Sequence, residues 1–167
     1  MENKIKQQLE MAIDGFISEL STVTPSDLNK IPFKDSWTPG QLAQHVALSD
    51  TGFGDMLKGE TKPTERQPDQ NVGIIKNILM DFTTKLQSPD FIVPEDKNYE
   101  KNELIGRLTD ARTSISDSID RLDLTQTCTE FELPQMGFLT RLEAVNFVIF
   151  HTLRHTNQLK NIKAALA

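Results

Sequence analysis

The sequence is short of cysteine, of histidine and of positive charge, and each shortage narrows what the protein can be. A single cysteine, Cys128, in 167 residues excludes an internal disulfide, and a chain of this length buries a core large enough to fold without one. Cys128 lies in the polar segment TQTCTEFELP beside Glu130, whose charge opposes a thiolate, so no reactive role is assigned to it. Lys and Arg total 18 against 24 Asp and Glu, a formal charge of −6. A sequence with a pI near 5.1 lacks the basic surface that a phosphate backbone or an anionic membrane attracts, so nucleic acid and membrane are not expected partners. No apolar run approaches the ~20 residues that span a bilayer. The N-terminus, MENKIKQQLEMAIDGFISEL, carries charges where a signal peptide needs an apolar stretch. The expected location is the cytoplasm.

What the sequence does have is helical periodicity. Apolar residues recur three and four apart in five segments, and no convincing strand alternation is found, so the expected fold is all-α. The first segment, 2–20, places Ile5, Leu9, Ala12, Ile13, Phe16, Ile17 and Leu20 on one stripe. The second opens at Thr38, where TPGQ has the form of a capping box with proline at the first helical position, and runs to Lys58 before Gly59. A third helix is expected over 70–87, after the linker GETKPTERQPDQ and before Pro89. The fourth, 100–123, carries Leu104, Leu108, Ile115, Ile119 and Leu122; the fifth opens on the capping box TRLE at Thr140 and runs nearly to the C-terminus. Four long helices make a four-helix bundle spanning residues 1–167 as a single domain, with the shorter third helix outside the main four.

The few histidines are all on apolar faces. His151 and His155 stand about 40° apart on the fifth helix, close enough for both imidazoles to reach one point. Their face includes Ala144, Phe147, Val148, Leu159 and Ile162. His45 falls at the edge of the second helix's core stripe with Ser49 and Gly52, residues small enough to leave a hollow beside the ring. Paired histidines at this spacing are a weak signal alone, and a lone inward histidine is commonly a hydrogen-bonded core residue. Three together would each need partners for their ring nitrogens, at about 1–3 kcal/mol for each one left unpaired. A divalent cation satisfies one nitrogen of each, and three neutral imidazoles with positions left over form the ligand set of an open metal site.

Two blocks carry a family resemblance. SWTPGQLAQHVALSD, residues 36–50, and FELPQMGFLTRLEAVNFVIFHTLRHTNQLKNI, residues 131–162, resemble the DinB superfamily, in particular its YfiT-like members. The resemblance implies an up-down-down-up bundle, a frequent dimer and a nickel or zinc ion held by His45, His151 and His155. It also implies thiol-dependent transfer with bacillithiol, mycothiol or glutathione as cosubstrate, some members being described only as metal-dependent hydrolases.

The residues restrict that chemistry. HTLRH lacks the glutamate of HExxH, so the site is not a zincin protease. With no carboxylate on the histidine face, activation of a metal-bound thiol suits the site better than hydrolysis, and a non-catalytic metal- or ligand-binding bundle is the alternative function. Gln158 either orients a ligand or is solvated. Trp37 either staples the helix start or covers the pocket mouth. Phe53, Met56 and Phe147 read as core or pocket wall. The stripe Leu142, Val145, Ile149 and Leu153, opposite the histidines, points to a homodimer through helix 140–165, unless the third helix covers it.

Overall fold

The computed structural model describes residues 2–167. Five α-helices carry the fold: α1 (Glu2–Ser21), α2 (Pro39–Lys58), α3 (Val72–Leu79), α4 (Lys101–Arg121) and α5 (Arg141–Leu166). Their order and extent follow the expected pattern, except that α3 is half the expected length. In α1 the buried residues Ile5, Leu9, Ile13, Phe16 and Leu20 fall at spacings of three and four. In α4 the same spacing buries Leu104, Leu108, Ala111, Ile115 and Ile119. These stripes meet α2 and α5 in one hydrophobic core, in which α1 and α2 each touch both α4 and α5.

Both expected capping boxes form. At the start of α2 the Gln41 amide donates to Thr38 Oγ1 at 3.1 Å, and the Thr38 amide donates to the Gln41 side chain at 3.0 Å. Gly40 lies one residue into that helix, where a Cβ would come within 3.1 Å of the Leu28 carbonyl, Asn29 and Tyr99, so only glycine lets the helix start pack so closely. At the start of α5 Thr140 and Glu143 repeat the box at 3.1 and 3.0 Å. Glu143 does more than cap. Its carboxylate, fully buried, also takes both terminal nitrogens of Arg66 at 2.6 and 2.7 Å and the Asn71 amide at 2.8 Å. Burial pushes this carboxyl up, but the guanidinium and two amides together hold it below its ordinary range. The linker before α3 is thereby pinned to the root of α5.

The expectation of a purely helical chain is corrected by a small antiparallel sheet, β1 (Thr61–Lys62), β2 (Thr127–Leu133) and β3 (Gly137–Thr140), in the order β1-β2-β3. Its signal was present but short: Phe131 and Leu133, half-buried, alternate with exposed Glu130 and Glu132 at the period of two that marks a strand. The β2–β3 turn uses left-handed backbone at Gln135 (φ 68°) and Gly137 (φ 71°). The shortening of α3 also has a local cause. Asp81 bonds the amide and hydroxyl of Thr83 and the hydroxyl of Thr84, offering the backbone a turn in place of helix. Arg154 of α5 then takes the carbonyls of Leu79, Asp81 and Thr84. Ile75 and Leu79 of α3 bury with Leu139 of β3 in a second, smaller cluster, against which Phe53, Phe147 and Phe150 pack.

The α5 stripe read as a dimer face is largely covered within the chain. Val145 and Ile149 are 0% and 5% exposed and belong to the main core, and of the four only Leu153 reaches 36%. Helix α5 packs against α1 and α2 in that core, while α3 lies over its Phe147 and Phe150 side. No helix among the described residues is long and apolar enough to cross a membrane.

Candidate metal centre

His45 from α2 and His151 and His155 from α5 converge. Their Nε2 atoms lie 3.2 Å (45 to 151), 3.1 Å (45 to 155) and 3.0 Å (151 to 155) apart, a nearly equilateral triangle. All three side chains are buried, and among the described residues no Asp, Glu or Cys joins the group. A point about 2.05 Å from all three nitrogens, the length of a zinc–imidazole bond, lies about 1 Å off their plane with N–metal–N angles of about 98°. That is the geometry of three ligands on one side of an ion, with the other side open.

Hydrogen bonds on the far side of two of the rings fix what their Nε2 atoms present, while His151 Nδ1 is buried without a partner. His45 Nδ1 lies 3.0 Å from the Ile92 carbonyl, which can only accept, so the proton is on Nδ1 and Nε2 carries a bare lone pair. His155 Nδ1 lies 2.8 Å from the Gln158 side-chain oxygen, with the same consequence. Two lone pairs 3.1 Å apart repel each other unless a cation lies between them. The donor set therefore fits a divalent ion on its own chemistry. Burial is the main cause that lowers the pKa of all three imidazoles, taking His155 to about 3 and His151 well below its ordinary value, with the neighbouring histidines adding to the shift of both; the Ile92 bond opposes the fall at His45. They are neutral at pH 7, the state a metal requires.

The centre lies in the wall of a hollow of about 1190 Å³. Ser49, Gly52, Trp37 and Gln158, each named from sequence, all line it. A Cβ on Gly52 would meet nothing within 4 Å, so the space expected beside His45 is there. Trp37 lies over the His45 ring, with centroids 5.0 Å apart and planes 43° apart, which makes it a wall of the site. Phe53 and Phe147 stack at 4.6 Å, and Phe147 stacks on His151 at 5.5 Å, so both are pocket wall. Met56 is buried at the same hollow, and Cys128 is buried in β2 with its thiol pushed up by desolvation.

Two features escaped the sequence. Ile92, which orients His45, sits in a 3-10 turn (Asp90–Ile92) inside an irregular linker, and a backbone carbonyl leaves no trace in residue type. Asp50 is wholly buried on the seam of α2 and α5, facing the Thr152 hydroxyl, yet neither carboxyl oxygen nor that hydroxyl completes a hydrogen bond. Its pKa is raised well above the carboxylate range by burial, so it is held as the neutral acid. The signal available was its helical position, about 140° from His45 and in line with Leu57 and Ala43 on the core side.

Fold and site together define a helical bundle with a buried three-histidine group that could hold a metal ion and opens into a cavity. The chain belongs to the DinB superfamily, whose family model matches residues 8–159. It is also similar in fold to a solved structure described as TT2238, a four-helix bundle protein. The TM-score is 0.62 at 18% identity over 96% of this chain and 99% of that one. No curated protein matches the sequence.

Proposed function

We infer that the protein is a divalent-metal-dependent enzyme in which His45, His151 and His155 hold nickel or zinc, and which transfers a low-molecular-weight thiol such as bacillithiol to a small electrophile. The observation that carries this reading is the meeting of three Nε2 atoms, two of them held as bare acceptors by Ile92 and Gln158. A bound divalent ion supplies Lewis acidity, which brings a coordinated thiol from a pKa of about 8.5 into its thiolate form near neutral pH. The chain's own part is positional: the Ile92 carbonyl and the Gln158 side-chain oxygen fix the tautomers of His45 and His155, and Trp37 and Phe147 pack against the His45 and His151 rings.

Metal-dependent hydrolysis is the second enzymatic reading, and a general base beside the attacking water would favour it. No carboxylate shares the imidazole group among the described residues, which supports the thiol route. The test follows conjugate and hydrolysis product when metal-loaded protein meets a model electrophile with bacillithiol, with glutathione or with water alone. Thiol- and metal-dependent conjugation lost in His155→Ala is expected. Metal-dependent hydrolysis without thiol overturns the transfer reading, and binding of metal without any turnover favours the non-catalytic alternative.

The proposal extends to the up-down-down-up helix order, supported by the Lys6–Asp120 and Lys163–Glu19 pairs and the Arg141–Leu57 bond, which bring particular helix ends together. It extends also to a cytoplasmic homodimer through helix 140–165, supported by the exposure of Leu153 on that helix and of Ile74 and Ile78 on α3, which packs against it. Light scattering at micromolar concentration is expected to give twice the chain mass, and a monomer mass refutes the dimer.

A further inference from the structure

The hollow beside the three histidines is rich in aromatic and aliphatic side chains, and its charged residues are mostly acidic. Its flat surfaces are aromatic: the Phe53–Phe147–His151 stack leads from the cavity to the imidazoles, Trp37 faces His45, and Phe91 meets Phe131 edge-on at 5.8 Å. At the rim, Phe33, Phe82 and Phe91 are 54%, 46% and 67% exposed, apolar surface that an occupant would cover.

Four carboxylates line the same hollow: Asp35, Asp55, Asp90 and Glu130. Only Lys85 and Arg154 oppose them. Arg154 is committed to the Leu79, Asp81 and Thr84 carbonyls, where it ties the strand of chain bearing Phe82 to α5. The remaining polar groups on the α5 side, Asn157, Gln158 and Asn161, are uncharged amides suited to a carbonyl or hydroxyl. An anion entering this space would meet net negative charge with one uncommitted cation, whereas an uncharged aromatic body meets an apolar lining with aromatic rings beside the imidazoles and at the rim.

We propose that the hollow is a binding site for an uncharged, aromatic-bodied small molecule and that its acidic rim excludes anions. The assignment rests on the reading of the three-histidine centre as a reaction site only for its meaning, in that it makes the electrophile the uncharged partner and leaves any charged groups of the thiol in solvent. Binding itself needs no metal.

A matched pair of fluorescent probes tests it: N-phenyl-1-naphthylamine and 8-anilino-1-naphthalenesulfonate share one ring system and differ by a sulfonate. Each is titrated into the full chain, zinc-loaded and chelator-treated, at 20 and 500 mM salt. The expected result is binding of the uncharged probe at least tenfold tighter than the sulfonate at low salt. The gap should narrow at high salt, because exposed carboxylates are screened. Gly52→Trp fills the empty space at that position and is expected to weaken the uncharged probe at least tenfold while the far-ultraviolet circular dichroism stays that of the parent. Equal or tighter binding of the sulfonate, or indifference of the uncharged probe to Gly52→Trp, overturns the proposal. Failure of the chain to take up zinc while the probe contrast holds would remove the metal reading and leave this one standing; zinc uptake with the contrast inverted would do the reverse.

Discussion

Metal-free protein should lose stability between pH 7.5 and 5.5, and Asp50 should conceal part of the loss. The imidazoles of His45, His151 and His155 have folded pKa values below the ordinary 6.5, with His155 at about 3. A depressed folded pKa contributes stability that is present above 6.5 and is lost as pH falls toward the folded value, because only the unfolded chain takes up the proton. Over these two pH units each imidazole that stays neutral in the fold costs about 1.4 kcal/mol, so the three together cost at most about 4 kcal/mol. Asp50 works in the opposite direction. Its folded pKa is raised well above 3.8 by burial, so its stabilising share is complete below 3.8 and is lost as pH rises through the folded value. On acidification it therefore opposes the loss from the imidazoles. Asp50→Asn removes that term and keeps a group of similar shape. Urea denaturation of chelator-treated protein at pH 7.5, 6.5 and 5.5 should show a loss approaching 4 kcal/mol in Asp50→Asn and a smaller loss in the parent. A variant whose stability is flat across the window, or a parent that falls as steeply as the variant, would refute the reasoning.

Two other outcomes follow from the same contacts. Gln158→Ala removes the acceptor that fixes the His155 tautomer, and should weaken zinc binding by about 10- to 100-fold in a competition titration without changing the stoichiometry. Glu143→Ala deletes the α5 capping box and strands Arg66; the expected cost is about 3–5 kcal/mol by urea denaturation, with Glu143→Gln recovering only part of it.

The helices were legible because each buries one face, and burial on one face writes a 3.6-residue period into the sequence. The three histidines were legible for the same reason: a polar residue on an apolar face is visible once the face is drawn. Strand β2 was not, since its two half-buried apolar residues, Phe131 and Leu133, are too few to stand out from a polar loop. The end of α3 depended on Asp81 and on Arg154, a residue 73 positions away in sequence. Ile92 acts through its backbone, so no side chain announces it. A helix apolar on two sides can be covered by its own chain or by a second one, and the period alone does not distinguish the two; here Val145 and Ile149 of that stripe lie in the chain's own core.

The central claim is that three imidazoles hold one ion, and the most direct measurement is inductively coupled plasma mass spectrometry on tag-free protein after dialysis against equimolar zinc and nickel. The account predicts one ion per chain in the parent and the loss of most of it in His45→Ala, His151→Ala and His155→Ala alike. A parent that retains no ion, or single variants that retain as much as the parent, would contradict it.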